Sequence, residues 1–459
     1  MNADSMTQAI AKVQDQLAED LAGPFEGFLP KAVIESMIQK VGYRFREKVF
    51  TPFIIIWAFI GQVLDPDASC RRALARIQAH RARRGLPAVS TNTSGYCKAR
   101  SRLPERLFQL LFQHLGGALV QKVSPRALWH GRRVKIVDGS SVSMPDTEDN
   151  QKQYPMAPGQ KPGCGFPVAA LVAVFSLATG AALDVVLGSW RLHDLNLFCR
   201  LRHLFEAGDI VLADRGFCSV AEMALLQQRG VDSVIRLHQR RKPDFRRGRI
   251  LGRKDHVVQW NKPAQCPHAV SAADYQQLPE TFTVREVRYR VEPKGFRPQK
   301  VTLATTLLDA AVYSVEDLAD LYFRRWDIEL DFRYLKTRMQ MDVLRGQTPA
   351  MVRKEIYTHL LAYNLVRSII WQAATTRGVS FARISVTGAI QHLLAVRDIT
   401  VWGHHHMSDF LYVRLLDLVA GQKVPYRPDR VEPRVVKRRP KPHNLMTRPR
   451  NELRAALGA

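Results

Sequence analysis

Two aspartates that follow apolar runs could hold a divalent metal ion. Asp138 ends the run VKIV in VKIVDGSS, and Asp214 ends the run IVLA in IVLADRGF. Each run predicts a strand, and the glycine within two residues of each aspartate lets a ligand approach the strand end. A lone aspartate in this position more often caps a turn, so a metal site requires further carboxylates.

A further carboxylate lies in LYFRRWDIELDFRYLKT, residues 321–337, which predicts one amphipathic helix. At about 100° per residue, four side chains share one narrow stripe of this helix: Tyr322, Arg325, Glu329 and Lys336. Apolar side chains flank the stripe on both sides, at Phe323, Trp326, Leu330 and Tyr334 and at Leu321, Ile328, Phe332 and Leu335. The remaining sector, with Arg324, Asp327 and Asp331, is the expected solvent face.

The stripe therefore points into the protein or a cleft, where charged groups need partners. One interpretation is an internal salt-bridge network of Arg325, Glu329 and Lys336. The other is a metal-binding Glu329 beside cations that bind phosphate. With the two strand-end aspartates, Glu329 makes three carboxylates, which can hold two Mg²⁺ ions in octahedral oxygen geometry. Two such ions can activate a water or a 3′-hydroxyl at a phosphodiester and stabilise the leaving oxygen.

The composition agrees with a nucleic-acid substrate. The 459 residues include 68 Lys and Arg against 42 Asp and Glu, giving a net charge of +26 and a sequence pI near 10.2. The usual partner of so basic a chain is a polyanion, and a generically basic soluble protein is the alternative. The content of 46% apolar and 24% charged residues excludes wholesale disorder and collagen-like structure. The six cysteines form no CxxC pair, which excludes zinc-ribbon spacing.

Strand and helix patterns alternate in the middle of the chain, which predicts a mixed α/β sheet. The expected strands are 134–137, 168–176, 181–187, 210–213 and 233–237, and the expected helices are about 193–206 and 219–229. The apolar stretch 166–183 approaches the length of a membrane span, but polar residues and Gly180 interrupt it, so it predicts two strands joined by a turn. The N-terminus lacks a signal-peptide pattern, and we expect a cytoplasmic protein without a membrane segment.

Three basic regions flank or interrupt this alternation. Residues 70–106 carry ten Lys or Arg against one acid, and predict helices at about 67–84 and Gly95–Arg102. This pair either resembles a helix-turn-helix or presents a solvated basic face. Residues 238–300 predict an inserted, mostly β subdomain with a basic face. The basic, proline-rich tail from Lys423 onward is expected to be extended or disordered until it meets DNA.

VKIVDGSS, VLADRGF and the spacing Y-x2-R-x3-E-x6-K together resemble the bacterial insertion-sequence DDE transposases of the YREK subgroup, the insertion sequence "four" family. The resemblance covers about residues 130–345. It implies an α/β fold whose ribonuclease H-like mixed sheet is interrupted by a mostly β insertion, with a helical N-terminal domain and a helical C-terminal region.

The resemblance also implies roles for individual residues. The catalytic and metal-binding residues would be Asp138, Asp214 and Glu329. The residues that hold the 5′ phosphate and a hairpin end would be Tyr322, Arg325 and Lys336.

Four further residues have open roles. Trp260, at the end of an expected strand of the insertion, either stacks on a flipped base, as in this family, or packs in the core. Arg215 either reaches phosphate or pairs with a neighbouring acid. His193 and Asp194, at the start of a helix, either support the metal site or simply cap that helix.

The expected domains are a helical N-terminal DNA-binding domain (1–125), the first part of the catalytic core (126–237), the β-rich insertion (238–305), the second part of the core with the YREK helix (306–376), and a C-terminal helical region with the basic tail (377–459). The implied function is cut-and-paste DNA transposition with two Mg²⁺ or Mn²⁺ ions, through phosphodiester hydrolysis, hairpin formation and strand transfer.

The implied partners are the terminal inverted repeats of the element and target DNA, bound by a homodimer in a synaptic complex at the bacterial nucleoid. Two rival functions stay open. One is a structure-specific nuclease or resolvase that never joins ends, and the other is an inactive or domesticated DNA-binding protein.

Overall fold

The computed structural model describes residues 3–46, 48–157, 159, 161, 163–292, 299–402, 408–424 and 445–456. Most of the predicted basic tail therefore lies outside the described residues. The chain divides into two compact units. The helical unit comprises residues 1–124, 178–183 and 330–424, and the sheet unit comprises residues 125–177, 184–329 and 425–459. The expected division into five domains stays a prediction.

The α-helices follow one another along the chain as α1 (Ala3–Ala22), α2 (Lys31–Lys40), α3 (Pro52–Leu64), α4 (Cys70–Arg83), α5 (Ser94–Arg102), α6 (Glu105–Gln121), α7 (Glu148–Gln153), α8 (Asp194–Phe198), α9 (Val220–Gln228), α10 (Ala272–Gln276), α11 (Val315–Phe323), α12 (Asp327–Arg333), α13 (Pro349–Arg377), α14 (Val386–Trp402), α15 (Ser408–Gly421) and α16 (Arg450–Ala456). The strands are β1 (Val134–Ser143), β2 (Val168–Ser176), β3 (Ala182–Ser189), β4 (Ile210–Ala213), β5 (Asp232–Arg236), β6 (Arg249–Gly252), β7 (Asp255–Asn261), β8 (Thr281–Val291) and β9 (Gln299–Thr305).

The strands form one mixed sheet in the order β3-β2-β1-β4-β5-β9-β8-β7-β6. Strands β1, β4 and β5 are parallel, and β2 runs antiparallel to β1. Nearly every residue of β2 is buried, which explains why its sequence is a continuous apolar run without alternation. The stretch 166–183 thus contributes to two strands, as predicted. In the described residues, no helix is long and apolar enough to cross a membrane.

The prediction that Asp138 ends a strand is wrong. Strand β1 continues to Ser143, and Asp138 pairs with Ala173 of β2. Its parallel ladder with β4 does stop there, because the last pair is Val137 with Ala213. The apolar run marks only the part of β1 that is buried between the two neighbouring strands β2 and β4. The rest of β1 is more exposed, and it is a strand because it pairs with β2.

The segment predicted as an inserted β subdomain contains strands β6 to β9 and the short helix α10. These strands do not form a separate sheet. Strand β9 pairs antiparallel with β5, with Ile235 opposite Ala304, so the insertion extends the sheet beyond β5. Strand β6, which the sequence patterns missed, forms the far edge and is largely exposed.

The YREK segment, residues 321–337, is not one regular helix. Helix α11 is followed by a 3₁₀ turn at Arg324–Trp326, then by α12 and a π-helical turn at Tyr334–Arg338. Tyr322 and Arg325 are buried as predicted, and so is the apolar stripe that includes Ile328. The opposite stripe is exposed instead of buried, with Phe323, Trp326 and Leu330 at 69%, 49% and 41% exposure.

Asp331 also departs from the prediction, because it is buried rather than on the solvent face. Its carboxylate accepts hydrogen bonds from the Tyr363 hydroxyl at 2.8 Å and from Arg367 Nη2 at 2.7 Å. Both partners lie on α13, far along the chain. A helical wheel shows which residues share a face, but the partners that bury a face come from elsewhere in the sequence.

Candidate active site

Asp138 and Asp214 lie side by side where the parallel ladder of β1 and β4 ends. Each directly follows the last residue pair of that ladder. The Asp138 Oδ1 atom accepts a hydrogen bond from the Gly139 amide at 2.8 Å, and the Asp214 Oδ1 atom accepts one from the Gly216 amide at 2.7 Å. A backbone amide within two residues thereby holds one oxygen of each carboxylate.

Arg325 connects Asp138 to the predicted third carboxylate. Its Nη1 atom lies 3.5 Å from Asp138 Oδ2, and its Nη2 atom lies 3.2 Å from Glu329 Oε1. Arg325 is only 6% exposed, and among the residues that the structure describes its buried Nε atom has no hydrogen-bond partner. The Glu329 side chain is 46% exposed, so it faces solvent more than the helical stripe predicted. The site therefore offers one free buried donor and one accessible carboxylate.

Burial raises the pKa of Asp138 to about 6, and the charges of Asp214 and Glu329 also raise it. The Gly139 amide and the Arg325 guanidinium act in the opposite direction. Burial lowers the pKa of Arg325, but Tyr322 and the two carboxylates outweigh it and raise that pKa on balance. The carboxylates thus repel one another, and added positive charge would favour their ionised forms.

The donor set matches hard cations in chemistry, since all of its candidate ligands are carboxylate oxygens. In the part of the chain that the structure describes, however, no three His, Cys, Asp or Glu side chains converge closely enough to hold a metal ion. The Arg325 guanidinium contacts both Asp138 and Glu329 and partly neutralises them. The residues fit Mg²⁺ or Mn²⁺ by type, and binding requires side-chain adjustment around Arg325.

Asp194, whose role the sequence left open, packs on the residue of β1 that follows Asp138. A Cβ placed on Gly139 would lie 2.5 Å from Asp194 Oδ2, so the Asp194 carboxylate packs directly on the glycine next to Asp138. The capping role belongs to its neighbour, because His193 Nδ1 accepts the hydrogen bond from the Leu195 amide at 3.2 Å. The glycine after Asp138 was the available sequence signal, since its missing side chain leaves room for another group.

Trp260 is 5% exposed and packs inside the insertion. Its Nε1 atom donates to Glu286 Oε1 at 2.9 Å, and the Arg241 guanidinium lies 3.9 Å from its ring centroid. This arrangement favours the packing role that the sequence left open. Trp326, which the sequence analysis assigned to a buried stripe, is instead an exposed aromatic next to Arg325, whose guanidinium lies 4.7 Å from the ring centroid.

The remaining predicted residues have less defined surroundings. Arg215 directly follows Asp214, and its Nη1 atom donates to Gln239 Oε1 at 3.3 Å rather than to an acid. Lys336 lies half-buried in the π-helical turn at Tyr334–Arg338. Tyr322 is buried, with the Arg325 guanidinium 5.8 Å from its ring centroid.

The predicted basic helix pair is present as α4 and α5, but part of its charge is structural. Arg81 donates to the carbonyl of Pro87, and Arg100 donates to Gln62 Oε1 at 2.9 Å. Arg84 pairs with Asp20. The basic side chains of this pair that stay exposed are Arg71, Arg72, Lys98 and Arg102.

Comparisons with known proteins agree on one kind of protein. The family model described as Transposase DDE domain matches residues 129–365. The chain is 24% identical over 437 residues to the transposase InsG for insertion sequence element IS4 of Escherichia coli K12, which covers 93% of this chain and 94% of that protein. It is 23% identical to a probable transposase for insertion sequence element IS5377 of Geobacillus stearothermophilus, covering 77% and 85%. The solved synaptic complex of piggyBac transposase with hairpin DNA aligns with a TM-score of 0.45 and 11% identity, over 86% of this chain and 84% of that chain.

Proposed function

The chain belongs to the transposase DDE domain family, and we propose that it moves DNA by cut-and-paste chemistry at Asp138, Asp214 and Glu329. Its membership makes it a DDE transposase of the IS4 family, which confirms the resemblance found in the sequence. The observation that supports the proposed site is the placement of Asp138 beside Asp214 at one ladder end, with Arg325 linking Asp138 to Glu329.

The strand order supports the finer fold assignment. Strands β3, β2 and β1 are followed by β4 and β5, which run parallel to β1, and this is the arrangement expected of a ribonuclease H-like core. In that arrangement the first aspartate lies on the central strand and the second follows its parallel neighbour, as Asp138 and Asp214 do. The strands β6 to β9 would then be the insertion that lengthens this core.

The three carboxylates would hold two Mg²⁺ or Mn²⁺ ions. Such ions supply an activated oxygen nucleophile and neutralise charge on the leaving oxygen of a phosphodiester. The side chains that contribute are oxygen donors of the kind these cations prefer. Burial first, and then the charges of Asp214 and Glu329, raise the pKa of Asp138, so a bound cation would favour its ionised form. The family supports a divalent metal, and the number and identity of the ions belong to this proposal.

The proposed reaction is a series of phosphoryl transfers at one site. Water first opens a phosphodiester at the element end and leaves a 3′-hydroxyl. That hydroxyl attacks the opposite strand, which closes a hairpin, and a second water reopens it. The freed 3′-hydroxyl finally attacks target DNA. Each step exchanges one oxygen on phosphorus for another, so no covalent bond to the protein is needed.

Arg325 would hold the phosphate on which each exchange occurs. Its buried, unpartnered Nε atom and its two terminal nitrogens form the planar fork that suits a phosphate. The Tyr322 ring lies beside the Arg325 guanidinium. Lys336 would add a further positive charge for the bound DNA strand. Arg325 contacts two carboxylates. If it binds phosphate instead, these two carboxylates would become available to bind a metal ion.

DNA outside the reaction centre would be held by exposed basic side chains. The first part of the insertion presents the exposed basic residues Arg240, Arg241, Lys242, Arg246, Arg247, Arg249, Arg253 and Lys254. Helices α4 and α5 and Arg215 would add further phosphate contacts. Binding should therefore weaken steeply with salt. In this proposal, a homodimer joins two element ends, and the protein acts in the cytoplasm at the nucleoid.

Base stacking during hairpin formation has two candidate aromatics. Trp260 could stack on a flipped base only after Arg241 leaves its ring. Trp326 is already exposed and lies beside Arg325, so it can meet a base without rearrangement. Variants of Trp260 and Trp326 therefore distinguish the two candidates.

The test uses purified protein and a labelled duplex that carries the end of its own element, with Mg²⁺ or Mn²⁺. We expect a nick followed by a hairpin on a denaturing gel, and transfer of a precut end to target DNA. Glu329→Gln should abolish all three products, whereas Glu316→Gln, an exposed acid on α11, should retain them. Cleavage without end joining would favour the nuclease or resolvase, and DNA binding without cleavage would favour the inactive binding protein.

A further inference from the structure

A second arginine, Arg236, lies beside the proposed catalytic aspartates. It is the last residue of β5, which runs parallel to β4 and pairs Ile235 with Ala213. Asp214 directly follows Ala213, so Asp214 and Arg236 hold matched positions at the carboxyl ends of neighbouring strands. Residues in register point to the same face of a sheet, and neighbouring strands lie about 4.8 Å apart. Asp138, Asp214 and Arg236 therefore form one row across β1, β4 and β5.

The charge of Arg236 acts on Tyr322 of the YREK segment. Burial raises the pKa of Tyr322, while the charges of Arg325 and Arg236 lower it and that of Asp214 raises it. Arg236 also lowers the pKa of Tyr289 on β8, which burial and Tyr322 raise. Arg236 and Arg325 are thus two separate cations that both lie near the Tyr322 hydroxyl and the aspartates.

The surroundings of the two arginines differ. Among the described residues, the half-buried Arg236 side chain makes neither a hydrogen bond nor an ion pair. Arg325, by contrast, contacts both Asp138 and Glu329. A cation that is partly withdrawn from water and unpaired is costly unless an anion is supplied. Arg236 stands at the carboxyl end of a parallel strand, which is also where α/β sheets bind their ligands.

Arg236 begins a run of positive charge that leads away from the aspartates. The exposed cations that follow it in the chain are Arg240, Arg241 and Lys242. The start of this turn is tied to the segment after Asp214, because Arg215 Nη1 donates to Gln239 Oε1 at 3.3 Å. A DNA backbone that leaves the aspartates on the β5 side would therefore meet several cations in succession.

We propose that Arg236 binds a phosphate of target DNA during strand transfer, which rests on the proposed function that assigns transposition to Asp138, Asp214 and Glu329. Strand transfer brings a second DNA segment to these carboxylates, when the element end already occupies the phosphate site at Arg325. Target DNA is held by backbone contacts without an element sequence to read, so one phosphate contact contributes a measurable share of its affinity. The guanidinium of Arg236 supplies the planar fork that suits a phosphate.

The direct test measures how tightly the full-length protein binds a duplex without element sequence, at several salt concentrations. Arg236→Ala should weaken this binding by about fivefold and reduce the slope of log Kd against log salt by about one, because one phosphate contact is lost. Arg229→Ala is the matched control. It removes the same charge from an exposed residue just before the other end of β5, so both values should stay as in the wild type.

Transfer of a precut element end distinguishes the role of Arg236 from the proposed function. Arg236→Ala should raise the target-DNA concentration at half-maximal rate by about fivefold, with a much smaller effect on the maximal rate and on first-strand nicking. If the wild type joins ends and Arg236→Ala keeps the wild-type half-saturation and salt slope, the role of Arg236 is overturned and the proposed function stands. Equal loss of nicking and transfer would place Arg236 at the element end instead. If the wild type joins no ends, the proposed function itself fails.

A conservative variant and a stability measurement exclude a merely structural role. Arg236→Lys keeps the charge and loses the fork, so it should restore the salt slope and recover only part of the affinity for target DNA. A structural Arg236 would instead lower the free energy of unfolding of Arg236→Ala in urea and leave the salt slope as in the wild type. That result would overturn the proposal.

Discussion

Asp255 in the insertion and Asp138 in the candidate site are carboxylates of the same sheet with opposite surroundings. Asp255 is 3% exposed and makes two bonds to Arg285, from Nε at 2.8 Å and from Nη2 at 2.6 Å. Arg285 is fully buried and donates its remaining hydrogen bonds to backbone carbonyls, including that of Tyr313 at 2.7 Å. Asp138 has one backbone amide and a single contact with Arg325 at 3.5 Å.

This difference distinguishes acids whose charge is fully paired within the fold from acids that are available to bind a ligand. In the insertion, each buried charge is matched within the chain, and His256, Glu286 and Trp260 are joined in the same way. At the candidate site, the charges of Asp214 and Glu329 both raise the pKa of Asp138, and Arg325 is the cation that opposes them. Several acids that share one arginine reduce stability, so their presence indicates a function that supplies further positive charge.

The largest expected effect is on catalysis. Glu329→Gln, Asp138→Asn and Asp214→Asn should each lower the rate of first-strand nicking by at least about a thousandfold, because each removes a proposed ligand of the catalytic metal. Affinity for the element end should stay within about twofold, measured by gel shift in EDTA. Retained nicking in any one variant would remove that residue from the proposed set.

The second effect concerns stability and applies to the paired acid. Asp255→Asn leaves Arg285 buried with an incomplete partner and should lower the free energy of unfolding by about 3 kcal/mol, measured in urea. Asp274→Asn is the control, because the ion pair of Asp274 with Arg202 is partly exposed, and its loss should cost under about 1 kcal/mol. Equal costs for the two variants would show that Asp255 is no more important to stability than a partly exposed acid.

At the candidate site, removing the charge of an acid is expected to raise the free energy of unfolding instead of lowering it. The pKa of Asp138 is raised to about 6 from 3.8, so its ionised form destabilises the fold, and this cost develops as pH rises from about 4 to 6. Asp138→Asn should therefore be more stable than the wild type by about 1 to 2 kcal/mol at pH 7 in EDTA, and the gain should vanish near pH 4. A destabilised Asp138→Asn would place this acid with the structural ones.

Arg325 should affect the later steps more than the first. Arg325→Ala removes the phosphate-binding fork, and hairpin formation should fall by about tenfold relative to first nicking, read as two bands of one time course. Arg324→Ala serves as the neighbouring control, since the Arg324 side chain is 45% exposed and contacts Asp327 at 3.5 Å and the Leu177 carbonyl at 3.3 Å. Equal loss of nicking and hairpin formation would contradict the assigned role.

The smallest expected effect distinguishes the two tryptophans. Trp326→Ala should slow hairpin formation by about fivefold, since base stacking on an aromatic contributes about 1 kcal/mol or more. Trp260→Phe keeps a ring but loses the hydrogen bond to Glu286, so it should lower stability by about 1 kcal/mol and leave hairpin formation unchanged. The reverse pattern would restore Trp260 as the stacking residue.

Much of the fold could be predicted because its signals are local. Four of the five expected core strands lie within two residues of β2, β3, β4 and β5, since apolar runs and turn residues mark their ends. The fifth, β1, is longer than expected because its extension is held by β2. The prediction of one regular helix for the YREK segment was wrong, because a 3₁₀ turn and a π-helical turn interrupt the helical period.

The sequence by itself determined the basic charge, the alternation of strands and helices and the spacing that identifies the family, because these depend only on residue order. Tertiary structure alone decided that Asp331 is buried against Tyr363 and Arg367, that Trp326 is exposed, and that Asp194 lies on Gly139. The physical reason is that the stability of a buried charge depends on the residues that folding places next to it. Local periodicity carries no information about those residues.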